Sequence, residues 1–257
     1  HEIRVADLQK VLGKYPNLNT RQTYRRAFTT FFAWAKRHHH CLENPCERLD
    51  KIPADDKRIA ILSLPETKRL LKAATEWKNG SMTASVALAL FAGLRPSEIA
   101  GLAPEDIREN GIRVRGGKLR RKTSRMVPIP ANLRQWLAAY PFTGLPSHHQ
   151  RSYRVLRKAT KARNWAQDVL RHTSISFQLE RDQDEARTLF NTGTSKQMVD
   201  RHYREVIEDR EEVEDFWNLL PESVAGVEVH LEEAPPTPTA SAGPPTSGSW
   251  KWPPPCP

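Results

Sequence analysis

The sequence predicts a mainly α-helical chain with a small β-hairpin or three-stranded sheet, split into a helical N-terminal domain and a larger α-rich one. Three observations support this. Apolar residues recur at three- and four-residue spacing along most of the chain. Strict alternation appears in one place, Ile112-Arg113-Val114-Arg115, which Gly116-Gly117 separates from Arg125-Met126-Val127-Pro128-Ile129. The length of 257 residues suits one large or two small domains, and a hydrophobic share of 38% suffices for a core.

Val5, Leu8, Val11 and Leu12 mark a first helix. Tyr24, Phe28, Phe31, Phe32 and Ala35 mark the inner face of a second, with Asn19-Thr20 as its expected N-cap. Arg21, Arg25, Arg26, Lys36 and Arg37 give that helix a basic outer face suited to phosphates. Asn44-Pro45 and the polar run from Pro53 to Arg58 break the pattern. Residues 1–52 therefore read as a helical domain, 53–60 as an exposed linker and 61–220 as the larger domain. Within the latter, Pro65 suits the first turn of a helix, and Met82–Ala92 is apolar enough to be a buried one. Further helices are expected over 133–140, 151–163, 168–180, 184–190 and 196–206. Residues 221–257, rich in Pro, Ser and Thr, predict a disordered tail, because too little apolar surface is present to offset chain ordering.

The chain carries a formal net charge of +10, unevenly placed. From Pro221 onward there is one lysine, Lys251, against Glu222, Glu228, Glu232 and Glu233, so the tail is net −3 and the body +13. A body this basic suits a polyanion, because lysine and arginine displace counterions from a phosphate backbone. No stretch approaches the length of a membrane span. Three cysteines make no disulfide framework, which points to a reducing, cytoplasmic compartment. The chain opens on His1 rather than Met, the start expected of a fragment or a processed form, and has no signal-peptide layout. His38-His39-His40-Cys41 with Cys46 fits no standard zinc spacing, so no metal is expected.

Four short segments carry chemistry. Gly93-Leu94-Arg95-Pro96-Ser97-Glu98 sets an arginine at a turn after the buried helix, with Glu98 near enough to orient it. Lys122-Thr123-Ser124-Arg125 is a basic turn entering the second strand. Asp168-Val169-Leu170-Arg171-His172-Thr173 places Arg171 among apolar neighbours, a costly position unless an anion pairs with it. Gly193-Thr194-Ser195 precedes Arg201-His202-Tyr203-Arg204, a phenol in a basic segment whose positive charge favours its phenolate.

Together, in this order, they resemble the tyrosine recombinases, the phage integrase family, over about residues 1–210. Arg95 and Glu98 match the family's G-L-R-x-x-E. Lys122 matches its hairpin lysine, with Lys118 as the alternative; Arg171 matches the arginine of H-x-x-R. Tyr203, nine residues after Thr194, matches the nucleophile. The resemblance implies a helical core-binding domain followed by a catalytic one. It also implies site-specific DNA recombination or integration through a covalent 3′-phosphotyrosyl intermediate, with Lys122 protonating the leaving 5′ oxygen and no cofactor. The implied partners are double-stranded DNA and further copies of the chain on that DNA, in a prokaryotic, nucleoid-associated setting, as for a phage or mobile element. No membrane and no small-molecule substrate is implied.

Two positions depart from the pattern. Asp168 stands where the family has the histidine of H-x-x-R, and Thr194 where it has a later His or Trp. The alternative reading is therefore a DNA-binding member of the same fold with impaired catalysis. His172 lies about 100° round the helix from Arg171 and is not expected to replace the residue at 168. Val213, Phe216, Trp217 and Leu220 form a stripe that either docks on a neighbouring copy or packs on its own domain.

Overall fold

The computed structural model describes residues 3–53, 59–115, 124–203, 207 and 209–232, with only the backbone of residues 201 and 202. The chain forms two compact units, His1–Arg58 and Ile59–Pro257.

In the first unit, α1 (Val5–Gly13) and α2 (Leu18–Arg37) are followed by a 3-10 turn at Pro45–Arg48. Leu8 and Leu12, one helical turn apart, pack with Phe32, Cys46 and Leu49. The cap of α2 is Asn17, whose side chain accepts the Thr20 N–H, rather than Asn19-Thr20. Helix geometry also narrows the inner face. Phe32 and Ala35 are buried, whereas Phe31 is 54% exposed and forms an outward aromatic patch with Trp34. His38 and His40 lay their rings against Trp34. The expected outer basic face is likewise split. Arg21 and Arg25 turn to the Tyr15 and Leu49 carbonyls, which leaves Arg26, Lys36 and Arg37 outward.

The second unit is built around α4 (Thr83–Phe91), every residue of which is buried. Helices α3 (Leu64–Glu76), α6 (Ala131–Ala139) and α8 (Val169–Asp182) pack on it, and α7 (His149–Thr160) packs on α3. An all-round apolar helix has no solvent face to offer, so its neighbours must enclose it. Ser63 and Glu66 box the start of α3, with Pro65 in its first turn. Strands β1 (Ile107–Arg108), β2 (Gly111–Val114) and β3 (Arg125–Val127) form an antiparallel sheet, with Ile112 opposite Val127 and Val114 opposite Arg125. The remaining helices are α5 (Pro96–Ala100), α9 (Glu185–Thr192), α10 (Lys196–His202) and α11 (Arg210–Trp217).

Helix α11 settles the alternatives for the apolar stripe. Phe216 is fully buried and stacks on Phe177 of α8 with ring centroids 4.0 Å apart, and Val213 is buried beside it. Trp217 donates to the Phe177 carbonyl and lies 3.8 Å beneath the Arg181 guanidinium. Val213, Phe216 and Trp217 thus pack on their own domain. Order also runs past the expected start of the tail. Pro221–Val224 form a 3-10 turn, Val224 is buried, and Val227, Val229 and Leu231 pack on the core. These few apolar residues among polar ones suffice because a ready-made core surface receives them, which composition alone does not reveal. The part of the tail beyond 232 lies outside the described residues.

Candidate active site

Two turns in left-handed conformation prepare the site. Gly93 follows α4 and Gly193 caps α9, each with φ of +63°. A Cβ at Gly93 would meet Ser174 Oγ at 3.1 Å, and one at Gly193 would meet the Arg125 guanidinium at 3.3 Å. Glycine is needed at both for the φ and for the closeness. Each turn then offers its carbonyl to an arginine. The Gly93 carbonyl accepts a hydrogen bond from Arg171, and the Gly193 carbonyl accepts one from Arg95 Nη2 at 2.7 Å.

Arg95 is the N-cap of α5, so its backbone N–H is free of the helix ladder and donates to Glu98 Oε2 at 2.9 Å. Its guanidinium reaches Glu98 Oε1 at 3.1 Å while staying 38% exposed. The same carboxylate is clasped by Arg125 of β3, with Nη1 to Oε1 at 2.9 Å and Nη2 to Oε2 at 3.0 Å. Arg125 also donates to the carbonyls of Asn191 and Thr192 at the end of α9. Burial pushes the Glu98 carboxyl up, but the Arg125 bonds, the Arg95 N–H and both positive charges outweigh it and hold it below its ordinary value.

Arg171 sits in the first turn of α8, 5% exposed. Among the described residues no carboxylate lies within ion-pair distance of it. Burial, and then the like charge of Arg95, lower it to about 10 despite the opposing pull of Glu98 and Tyr203. It remains a cation at any neutral pH. Among the described residues, the Arg95, Arg125 and Arg171 guanidinium groups thus share the neighbourhood of one carboxylate, Glu98, an excess of positive charge suited to one phosphate.

Tyr203 ends α10 and is 3% exposed, packed on Ile175 and Val199. Its hydroxyl is hydrogen-bonded to His172 Nδ1, and the two rings lie 5.6 Å apart. Two expectations change here. Positive charge was expected to favour the phenolate. Instead burial dominates, Arg171 and Arg95 pull the other way, Asp168 adds to burial, and the phenol is pushed up to about 12. His172, not expected to replace the residue at 168, meets the phenol from α8. It lies one turn before Ile175 on the face that packs on Tyr203. That i, i+3 relation was the signal in the sequence. In the sequence Arg125 reads only as part of a basic turn, and nothing local announces its pairing with Glu98 across 27 residues.

The expected residues Arg95, Arg171 and Tyr203 therefore come together, with Arg171 and Tyr203 each sensing the charge of the other and of Arg95. Asp168, in left-handed conformation at φ +58°, caps α8 without a side-chain cap bond and acts on Tyr203 through its charge. Thr194 follows Gly193 in the turn that holds Arg95 and is half-buried. Lys122, the alternative Lys118, and Arg204 lie outside the described residues. Among the described residues no group of three His, Cys, Asp or Glu side chains is placed to hold a metal, and no helix is long and apolar enough to cross a membrane.

No family model matches the chain. A tyrosine recombinase of Thermosipho africanus (strain TCF52B) is 28% identical over 177 residues, which covers 63% of this chain and 62% of that protein. The chain thus spans less than two thirds of the length of that curated relative. Lambda integrase, solved as a dimer bound to a COC′ core site, superposes with a TM-score of 0.66 at 17% identity, covering 81% of this chain and 83% of that one. The Tn1549 transposon integrase, in complex with circular intermediate DNA, gives a TM-score of 0.56 at 14% identity, covering 83% and 84%. The sequence match is to a tyrosine recombinase, and the fold is shared with the two integrases.

Proposed function

We propose that this chain is a tyrosine recombinase of the phage integrase family, which cleaves and rejoins DNA strands at a specific site through a covalent 3′-phosphotyrosyl intermediate. The observation that carries the reading is the buried Arg171 guanidinium beside the Tyr203 phenol, with no carboxylate of its own among the described residues. A buried cation of this kind is stabilised by a bound anion. Arg95 and Arg171 are the residues that hold the scissile phosphate. Both act where negative charge develops on the phosphoryl oxygens, an effect usually worth about 10²–10³ in rate per donor. Tyr203 attacks phosphorus, the 5′ oxygen leaves, and Lys122 protonates it. The ester energy is kept in the phosphotyrosine bond, so a second DNA end reverses the step without ATP. Glu98 and Arg125 hold Arg95 in place. The basic first unit is the second DNA contact, and strand exchange between two sites requires several copies on DNA.

A second reading, a DNA-binding member with impaired catalysis, draws on Asp168, whose negative charge opposes the phenolate. The two part on one assay. Nicked duplexes of randomised sequence, which trap the covalent intermediate by losing the short leaving strand, are incubated with the protein and the adducts recovered. The enzyme reading expects an adduct in the wild type and none in Tyr203→Phe. Duplex binding with no adduct from any sequence in the pool leaves the binding module.

A further inference from the structure

We propose that His172 is the general base of the cleavage step, taking the Tyr203 proton on Nδ1 as the phenolic oxygen attacks phosphorus. The inference rests on the reading of Tyr203 as nucleophile and adds a residue at the position after the second arginine. Its basis is geometric. His172 Nδ1 is the hydrogen-bond partner of the Tyr203 hydroxyl, so the proton has a path before any substrate arrives. The ring is set by α8 itself, one residue from Arg171, so the base and the phosphate-holding guanidinium move as one rigid element. Tyr203 is almost wholly buried while His172 is half-buried, which leaves the imidazole a route for exchanging the proton with solvent.

The other nearby groups fit the role less well. Thr194 carries a hydroxyl, which is no base at neutral pH. Asp168 touches Tyr203 through its charge rather than a hydrogen bond. A base is needed because burial holds the phenol protonated. Five units above neutrality, about one phenol in 10⁵ is ionised at pH 7. The protonated phenol must donate, so Nδ1 accepts and the ring proton of neutral His172 sits on Nε2. The Oη–H bond breaks and its proton passes to Nδ1, the Oη–P bond forms, and the P–O5′ bond breaks. The electron pair stays on the 5′ oxygen, which takes a proton from the general acid. On rejoining, the imidazolium returns its proton to the departing phenol oxygen.

The test uses the full chain and a nicked duplex recovered from the randomised pool. His172→Ala and His172→Gln are compared with the wild type for duplex binding and for the rate of adduct formation at neutral pH. Both are then remade with 2,3,5-trifluorotyrosine at position 203, a phenol that ionises far more readily and needs a base less. The expected result is duplex binding within about twofold, an adduct rate lowered about 10²–10³-fold in both variants, and recovery of at least about tenfold on fluorination. A rate within about threefold of wild type, a rate that rises, or a loss that fluorination leaves untouched overturns the role of His172 alone. Asp168→Asn showing the large, fluorine-rescued loss instead also overturns it and hands the proton to Asp168. An adduct that survives Tyr203→Phe, or none from the wild type, overturns the nucleophile reading and this inference with it.

Discussion

The two ends of the arginine cluster are held in opposite ways. At one end Arg95 and Arg125 share the Glu98 carboxylate through three charged hydrogen bonds, backed by the carbonyls of Asn191, Thr192 and Gly193. At the other, Arg171 is buried deeper, rests on the Gly93 carbonyl, and interacts through its charge with the Tyr203 phenol. The compensated end contributes to the fold, because its charges are already paired. The uncompensated end stores an electrostatic demand that only an incoming anion meets, so its worth should appear in turnover rather than in stability.

Four substitutions sharpen or break that contrast. The largest effect is expected from Phe216→Ala, which removes the ring stacked on Phe177 and so loosens α8 beneath Arg171. Denaturant unfolding should show a loss of about 3–5 kcal/mol. Next is Arg171→Ala, expected to lower adduct formation about 10²–10³-fold. Its unfolding midpoint should hold or rise, since a buried cation without a carboxylate is removed. A large fall in stability with intact rate would reverse the assignment of the two ends.

Glu98→Gln should do the opposite of Arg171→Ala, with a stability loss of about 1–3 kcal/mol from the weakened charged hydrogen bonds. Its pH dependence follows from the sign of the shift. Glu98 is held below 4.5 in the folded chain, so its stabilisation is complete above that value and is lost as pH falls through the lower, folded one. Wild type and Glu98→Gln should therefore converge in stability on acidification, read from unfolding curves at several pH values. The smallest effect is expected from Gly193→Ala. An L residue at φ +63° costs about 1–2 kcal/mol, and the added methyl presses on the Arg125 guanidinium. A neutral result in thermal unfolding would show that this turn is looser than its geometry implies.

Much of this was readable along the chain. The buried helix near 82–92 announced itself by having no polar face, and the hairpin by its single stretch of alternation. Arg95, Arg171 and Tyr203 stood out through motif order. Their convergence needed the helices α4, α8, α9 and α10 to pack in one arrangement. The angle between His172 and Arg171 describes α8 alone and carries no information on Tyr203, which packs on another face of that helix. The ordered run from Pro221 to Glu232 is not legible in composition, which is averaged over a window, while burial is decided residue by residue at Val224.

Local sequence by itself determined the helices, the sheet, the basic body and the motif positions of Arg95 and Arg171, because periodicity, charge and turn chemistry act over a few neighbouring residues. Tertiary structure alone decided which arginine is clamped by Glu98 and which is left without a carboxylate, and that the phenol lies buried against an imidazole. Those outcomes depend on the dielectric around each group and on partners up to 98 residues away, and desolvation is a property of the packed molecule rather than of the chain.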